Sequence, residues 1–257
     1  MIREAAADVS VSAAWSDLSA ENLGAMVFDS GGAWQLYRRE RSYYFRFATP
    51  AIGRRPYKIA RFNSAFTSGE VFLNPHLIDS RQPVYPLEYP LDELLILNLL
   101  AQGRGVEVHA CGLLDAQGNG HLFLGQSGAG KTTMARLWEN AEGVRILSDD
   151  RIILRRTDNR IWMYGTPWHG DAELAFPARA ALSRIYFLRH NDQNQLVPLS
   201  GATAVGRLFS CAFPFFYSSS ALDFMLAFLA EIVKAVPCYQ LSFLPEANVV
   251  EFLLAGM

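Results

Sequence analysis

Eight consecutive residues constrain this chain more than anything else in it. Gly125-Gln126-Ser127-Gly128-Ala129-Gly130-Lys131-Thr132 satisfies the pattern G-x-x-x-x-G-K-[ST] in full. An apolar run, His121-Leu122-Phe123-Leu124, leads into it, and the spacing predicts a helix from Lys131 to about Asn140. The physics uses every part of the pattern. Glycines let the backbone curl so that its N–H groups converge, because no Cβ obstructs them. The start of the following helix adds partial positive charge at the same point. Lys131 supplies a full charge for β- and γ-phosphates, and Thr132 offers a hydroxyl to Mg²⁺. The segment from Gly125 to Thr133 is therefore expected to hold ATP with Mg²⁺.

A second signal follows. Val144-Arg-Ile-Leu-Ser-Asp149-Asp150 places two carboxylates at the end of an apolar strand. The short stretch between Lys131 and Gly143 fits one helix and a return turn. Both strand ends are then expected to open on the same edge of a parallel sheet, where ligands bind in such folds. One carboxylate can hold Mg²⁺ beside Thr132, and the other can take a proton from an attacking hydroxyl. An Asp-Asp corner is also a common solvated turn. Next to a complete phosphate loop, the functional reading is preferred.

The rest of the chain frames these motifs. In 257 residues the formal charge is −2, from 23 Lys plus Arg against 25 Asp plus Glu. A chain living on nonspecific nucleic-acid binding carries a basic excess, so no nucleic-acid partner is expected. Hydrophobic residues make up 51%, which suits a folded core. The most apolar region, Leu208 to Val236, is broken by Pro214, Asp223 and Glu231, so no membrane span is expected. Cys111, Cys211 and Cys238 have neither disulfide nor metal-ligand spacing. That favours a reducing, cytoplasmic setting.

Up to about residue 80 the chain reads as strands. Trp34 to Arg38, Ser42 to Phe47, Tyr57 to Phe62 and Val71 to Leu73 are separated by turns at Gly31-Gly32, Thr49-Pro50 and Thr67-Ser-Gly69, which suggests an antiparallel meander. Pro83, Pro86 and Pro90 form a linker, and a helix is expected over Leu91 to Gln102, with Asp92 and Glu93 at its positive end. Later strands are expected at Val106 to Leu114, Val144 to Leu147, Arg151 to Arg155, Ile161 to Tyr164, Ser183 to Leu188 and Tyr239 to Leu244. Helices are expected near Ala202 to Ala212 and Ser220 to Ala235. The expected division is a β-rich region 1–90 and a nucleotide-binding domain 91–257.

The combination His109, Gly125-Gln-Ser-Gly-Ala-Gly-Lys-Thr132 and Ser148-Asp149-Asp150 resembles the HPr kinase/phosphorylase family. Its nucleotide site also resembles that of ATP-dependent phosphoenolpyruvate carboxykinase. The resemblance implies an α/β fold, a P-loop core of the HPr kinase C-terminal type on a twisted mixed sheet. It implies Asp149 as catalytic base, Asp150 with Thr132 at the metal, and His109 as a third catalytic group that orients Asp149 or senses phosphate. Lys131 completes the catalytic set. The family's downstream glutamate-arginine-glycine signature is not found. Tyr164-Gly-Thr-Pro-Trp-His-Gly170-Asp171 stands in its place, so neither HPr as acceptor nor the reverse phosphorylase activity is implied.

The expected activity is transfer of the γ-phosphoryl group of ATP to a hydroxyl, serine first, of a protein or peptide acceptor. The alternatives are an ATP-binding regulatory or assembly module without transfer, and a small-molecule kinase. The oligomeric state, homo-oligomer included, is left open. Trp168 and His169 in the Gly165–Asp171 loop are further candidates for touching an acceptor or phosphate. Arg155, Arg156, Arg179 and Arg184 read more simply as surface residues.

Overall fold

A computed structural model describes residues 7–18, 22–51 and 53–255 of the chain. Contacts between Cα atoms divide it into two compact units, Met1–Leu99 and Leu100–Met257. Its architecture is mixed α/β, with two mixed sheets and five helices among the described residues.

The first unit carries a six-stranded sheet. Strands β3 (Trp34–Arg39), β4 (Ser42–Thr49), β5 (Gly53–Asn63) and β6 (Ser68–Leu73) form the antiparallel meander that the sequence suggested, and β2 (Ala25–Asp29), not anticipated, extends it beyond β3. Strand β1 (Ser10–Trp15) adds to the far edge, parallel to β6. The turn expected at Thr67-Ser-Gly69 lies earlier. Asn63 Oδ1 accepts the N–H of Thr67, Phe66 takes the left-handed φ of 56°, and Ser68 already belongs to β6. Phe45, Phe47, Ile59, Phe62 and Val71 fill the buried face. After the proline segment, α1 (Leu91–Leu100) begins with Asp92 and Glu93 in its first turn.

The second unit is built on an eight-stranded sheet: β7 (Val106–Leu114), β8 (Gly120–Leu124), β9 (Arg145–Ser148), β10 (Arg151–Thr157), β11 (Arg160–Gly165), β12 (Arg179–His190), β13 (Gln195–Leu199) and β14 (Cys238–Phe243). Helices α2 (Lys131–Glu139), α3 (Gly201–Phe209), α4 (Ser219–Ala235) and α5 (Asn248–Ala255) cover it. Side chains alternate between two faces, as a pleated strand requires. Leu122, Leu124, Ile185 and Phe187 point into a core shared with Leu208 of α3 and Phe228, Leu229 and Ile232 of α4. Phe123, Tyr186 and Leu188 point into another, shared with Met134 and Trp138 of α2 and Val249 and Leu253 of α5. Strand β8 is buried along its whole length, which explains its continuous apolar run.

One expectation is corrected here. Between the strands leading to the loop and to the aspartates, the sheet is antiparallel, not parallel. Strands β8 and β9 each pair antiparallel with β7, which lies between them. They therefore run in the same direction, and their C-terminal ends, Leu124 opposite Ala110 and Ser148 opposite Gly112, still emerge on one side. Parallel pairing does occur on the other flank, where β12 sits between β8 and β14.

Candidate functional site

The Gly125 loop closes on itself before α2 begins. Gly128 and Gly130 take the left-handed φ values of 80° and 100°, and Gly130 caps the helix without side-chain help. A Cβ on Gly130 would lie 2.7 Å from Cζ of Phe243. Only glycine fits that turn against that neighbour. The N–H of Ala129 bonds to the carbonyl of Gln126 at 3.0 Å, which tightens the curl. His190, at the end of β12, places Nε2 3.0 Å from the carbonyl oxygen of Gly128. Its ring leans on Phe243 at a centroid distance of 5.3 Å.

Lys131 is buried, and its Nζ donates to the carbonyls of Gly125 at 2.8 Å and Gln126 at 3.2 Å. Burial pulls its pKa below the usual lysine value, against the pull of Cys211 and Asp150. A buried ammonium held by neutral carbonyls is an environment that an anion stabilises.

The two aspartates sit where β9 passes into β10 along one edge of β7. Ser148 pairs with Gly112 and Arg151 with His109, so the acids occupy the intervening step. Ser148, fully buried, fixes this corner: its hydroxyl accepts the N–H groups of Asp150 and Arg151 and donates to the carbonyl of Trp168. Thr166 donates to the carbonyl of Arg151 at 2.8 Å. The Gly165–Asp171 loop is thereby fastened over the acidic corner.

The aspartates have different surroundings. Asp149 is 2% exposed, and both carboxylate oxygens are engaged by that loop. Oδ1 accepts the N–H of Gly170 at 2.8 Å, and Oδ2 that of Ala172 at 2.9 Å. Asp150 faces His109 instead. Its Oδ1 lies 2.9 Å from His109 Nδ1, and its Oδ2 lies 3.3 Å from Arg151 Nε. His109 Nδ1 is also 3.1 Å from the Asp150 carbonyl oxygen. Both neighbours are acceptors, so this nitrogen carries the hydrogen. The hydrogen bond from His109, together with the nearby Arg151 and Lys131 charges, holds the Asp150 carboxyl below the usual carboxylate range despite its partial burial. The histidine expected to orient Asp149 thus contacts Asp150.

These groups meet in one cleft of about 320 Å³. Lys131, Thr132 and Thr133 line it from α2, and His109, Asp149 and Asp150 line it from the sheet edge. Gly170, Asp171 and His190 complete the rim. Trp168 is half-buried with its ring 5.9 Å from the Arg151 guanidinium, and His169 is exposed; neither lines the cleft. Arg155, Arg156 and Arg179 turn elsewhere, to Tyr164, Glu231 and Trp162.

The donor set suits a nucleotide's phosphates with Mg²⁺. Converging backbone N–H groups and a buried ammonium suit phosphate. The Thr132 hydroxyl and the Asp149 and Asp150 carboxylates are hard oxygen donors of the kind Mg²⁺ takes, with phosphate and water supplying further ligands. Among the described residues, no cluster of three or more His, Cys, Asp or Glu side chains forms a ready-made metal cage.

Sequence reasoning gave no role to the Ser148 and Thr166 hydroxyls, to His190 or to the backbone N–H groups of Gly170 and Ala172. Ser148 to Trp168, Thr166 to Arg151, His190 to Gly128 and the two N–H groups to Asp149 are contacts distant in the chain. Among the described residues, no helix is long and apolar enough to cross a membrane. No family model and no curated protein matches the chain. Among solved structures, the chain is similar to the HPr(Ser) kinase/phosphatase from Coxiella burnetii at 12% identity and a TM-score of 0.32, over 58% of this chain and 88% of that one.

Proposed function

We propose that the chain is an ATP-dependent phosphotransferase that moves the γ-phosphoryl group to a hydroxyl, serine first, of a protein or peptide. One observation carries this reading: the loop lysine and threonine and the Asp149-Asp150 pair line a single cleft. A passive nucleotide binder needs the loop, but it has no use for a carboxylate fixed by a histidine at the phosphate end.

The residues divide the work as follows. The loop N–H groups and Lys131 bind the β- and γ-phosphates and offset the charge that spreads over the transferring group. Thr132 and Asp149 would hold Mg²⁺, with Asp149 also tying the Gly165–Asp171 loop in place. When bound, Mg²⁺ neutralises phosphate charge and orients the γ-group. Asp150, oriented by His109, accepts the proton of the attacking hydroxyl. The bond from the γ-phosphorus to the bridging oxygen breaks, a bond to the acceptor oxygen forms, and ADP leaves. This assigns the base to Asp150 and the metal side to Asp149, the reverse of the roles that the family resemblance implied. The geometric ground is that Asp150 is the acid in contact with His109, while Asp149 is buried against the N–H groups of Gly170 and Ala172.

The test is Mg²⁺-dependent incorporation of phosphate from ATP into a panel of serine peptides, proteins and small hydroxyl compounds, read by mass spectrometry. Product in the peptide or protein fraction supports the proposal. ATP binding with no product in any fraction refutes it and favours a nucleotide-binding module.

A further inference from the structure

The hollow beside the acidic pair extends beyond the phosphate cleft. One part, about 440 Å³, is lined by His109, Asp150, Arg151 and Phe213. The next, about 480 Å³, is lined by Phe187, Arg189, Arg207 and Gln240. Gly125, Gln126 and Ser127 from the loop, with Ser210 and Cys211 after α3, line both. The two parts form one trench along the first half of the loop. Each lies in the size range that houses a drug-sized ligand, far more than one serine side chain fills.

The trench adjoins the cleft where the nucleotide's phosphates belong but extends away from Lys131 and Thr132. The phosphate cleft uses Lys131, Thr132, Thr133 and Asp171. The trench uses Gly125 and Gln126, which do not line that cleft. His109, Asp150, Ser127 and Gly128 line both. In-line transfer sets donor and acceptor on opposite sides of the moving phosphoryl group. The shared rim at Asp150 is then the transfer point, and the trench is the acceptor's side.

The charge along this trench is uneven. At the Asp150 end, Arg151 is already beside Asp150 and within 3.9 Å of Glu107. At the far end, Arg189 is exposed and Arg207 is half-buried, its guanidinium 6.0 Å from the Phe187 ring. Among the described residues, neither makes an ion pair with a carboxylate, whereas Arg61, Arg81 and Arg156 each do. Arginine forks match carboxylates in two-point geometry. Two such forks opening into a trench suit an anionic ligand.

We infer that the acceptor is an acidic peptide segment. Its hydroxyl reaches Asp150, and a carboxylate a short distance along the chain reaches Arg207 and Arg189. This inference rests on the phosphotransfer reading for the identity of the acceptor, but its binding test does not require turnover.

The experiment uses the full chain and fluorescent synthetic peptides with a central serine, in three matched series flanked by Asp and Glu, by Asn and Gln, or by Lys. Binding is measured on the wild type and on the double variant Arg189→Gln/Arg207→Gln, with ATP affinity measured in parallel. The acidic series is expected to bind the wild type at least about tenfold more tightly than the amide series, the scale of a charge-assisted contact. That preference should weaken in high salt and vanish in the double variant, while ATP affinity stays unchanged. In Arg207→Glu the preference should shift toward the Lys series. Equal binding of the acidic and amide series, a wild-type preference for Lys peptides, no peptide binding at all, or an acid preference that survives in the double variant overturns the inference. Transfer from ATP to the same peptides is scored separately. Acid-selective binding without transfer counts against the phosphotransferase reading, and transfer without acid selectivity counts against this one.

Discussion

Replacing each aspartate by asparagine in turn separates the two roles. Asp149 is buried and receives two backbone N–H groups, from Gly170 and Ala172. In Asp149→Asn one oxygen remains to accept, and the new amide NH₂ faces an N–H donor. A hydrogen bond to a charged acceptor contributes about 1.5–3 kcal/mol, and a buried donor left unpaired costs about 1–3 kcal/mol. A net loss of about 3 kcal/mol is expected. At about 2–4 °C per kcal/mol for a unit of this size, the melting temperature should fall by roughly 6–12 °C. The Gly165–Asp171 loop should lose amide-exchange protection first.

Asp150→Asn is expected to behave differently. The Asp150 side chain is 20% exposed, and an asparagine oxygen can still accept from His109 Nδ1. The stability cost should stay near about 1 kcal/mol. Loss of a positioned base should slow transfer by about 10²–10⁴-fold, with ATP affinity changed little. Differential scanning calorimetry, hydrogen exchange and phosphate-transfer rates on both variants decide the matter. An Asp149→Asn protein that melts like the wild type but transfers nothing, beside an Asp150→Asn protein that transfers normally, refutes this division of labour.

Other perturbations report on the same geometry. Lys131→Ala removes the ammonium that binds Gly125 and Gln126, so ATP affinity and transfer should both fall by tenfold or more in calorimetric and kinetic measurements. Gly130→Ala forces a Cβ to 2.7 Å from Phe243 at a φ of 100°, and should destabilise the unit by about 1–3 kcal/mol while abolishing nucleotide binding; a stable, ATP-binding variant contradicts the packing described. Because the Asp150 pKa is lowered, chiefly by His109, its proton-accepting form persists through neutral pH, and transfer should show no fall centred near pH 6.5. Such a fall in still-folded protein contradicts the assignment of the base to Asp150. His121 is buried beside Asp115 and Tyr186, and burial lowers its pKa below 6.5. The unfolded chain therefore binds more protons in that window, so denaturant-measured stability should drop as pH falls below about 6.5, and His121→Gln should flatten this slope.

What the sequence revealed, and what it hid, follows from the range of the interactions concerned. The loop was legible because its geometry is local: positive φ at Gly128 and Gly130, a lysine at the helix start, an apolar strand before it. The run β3 to β6 was legible because its strands are joined by short turns, whereas β2 was not singled out. Strand β1 was not, since five of its six residues are exposed and its partner β6 lies far along the chain. The acidic pair shows the limit most clearly. Asp149 and Asp150 sit at the bend between β9 and β10, and their side chains meet different surroundings. Which acid meets His109 depends on the antiparallel register that sets Arg151 opposite His109, and that register is fixed by the packing of β7 against two consecutive strands. One residue of slip exchanges the partners of Asp149 and Asp150 without changing a letter of the motif. Which acid contacts His109 is therefore a property of the sheet, and the motif alone fixes the pair but not the contact within it.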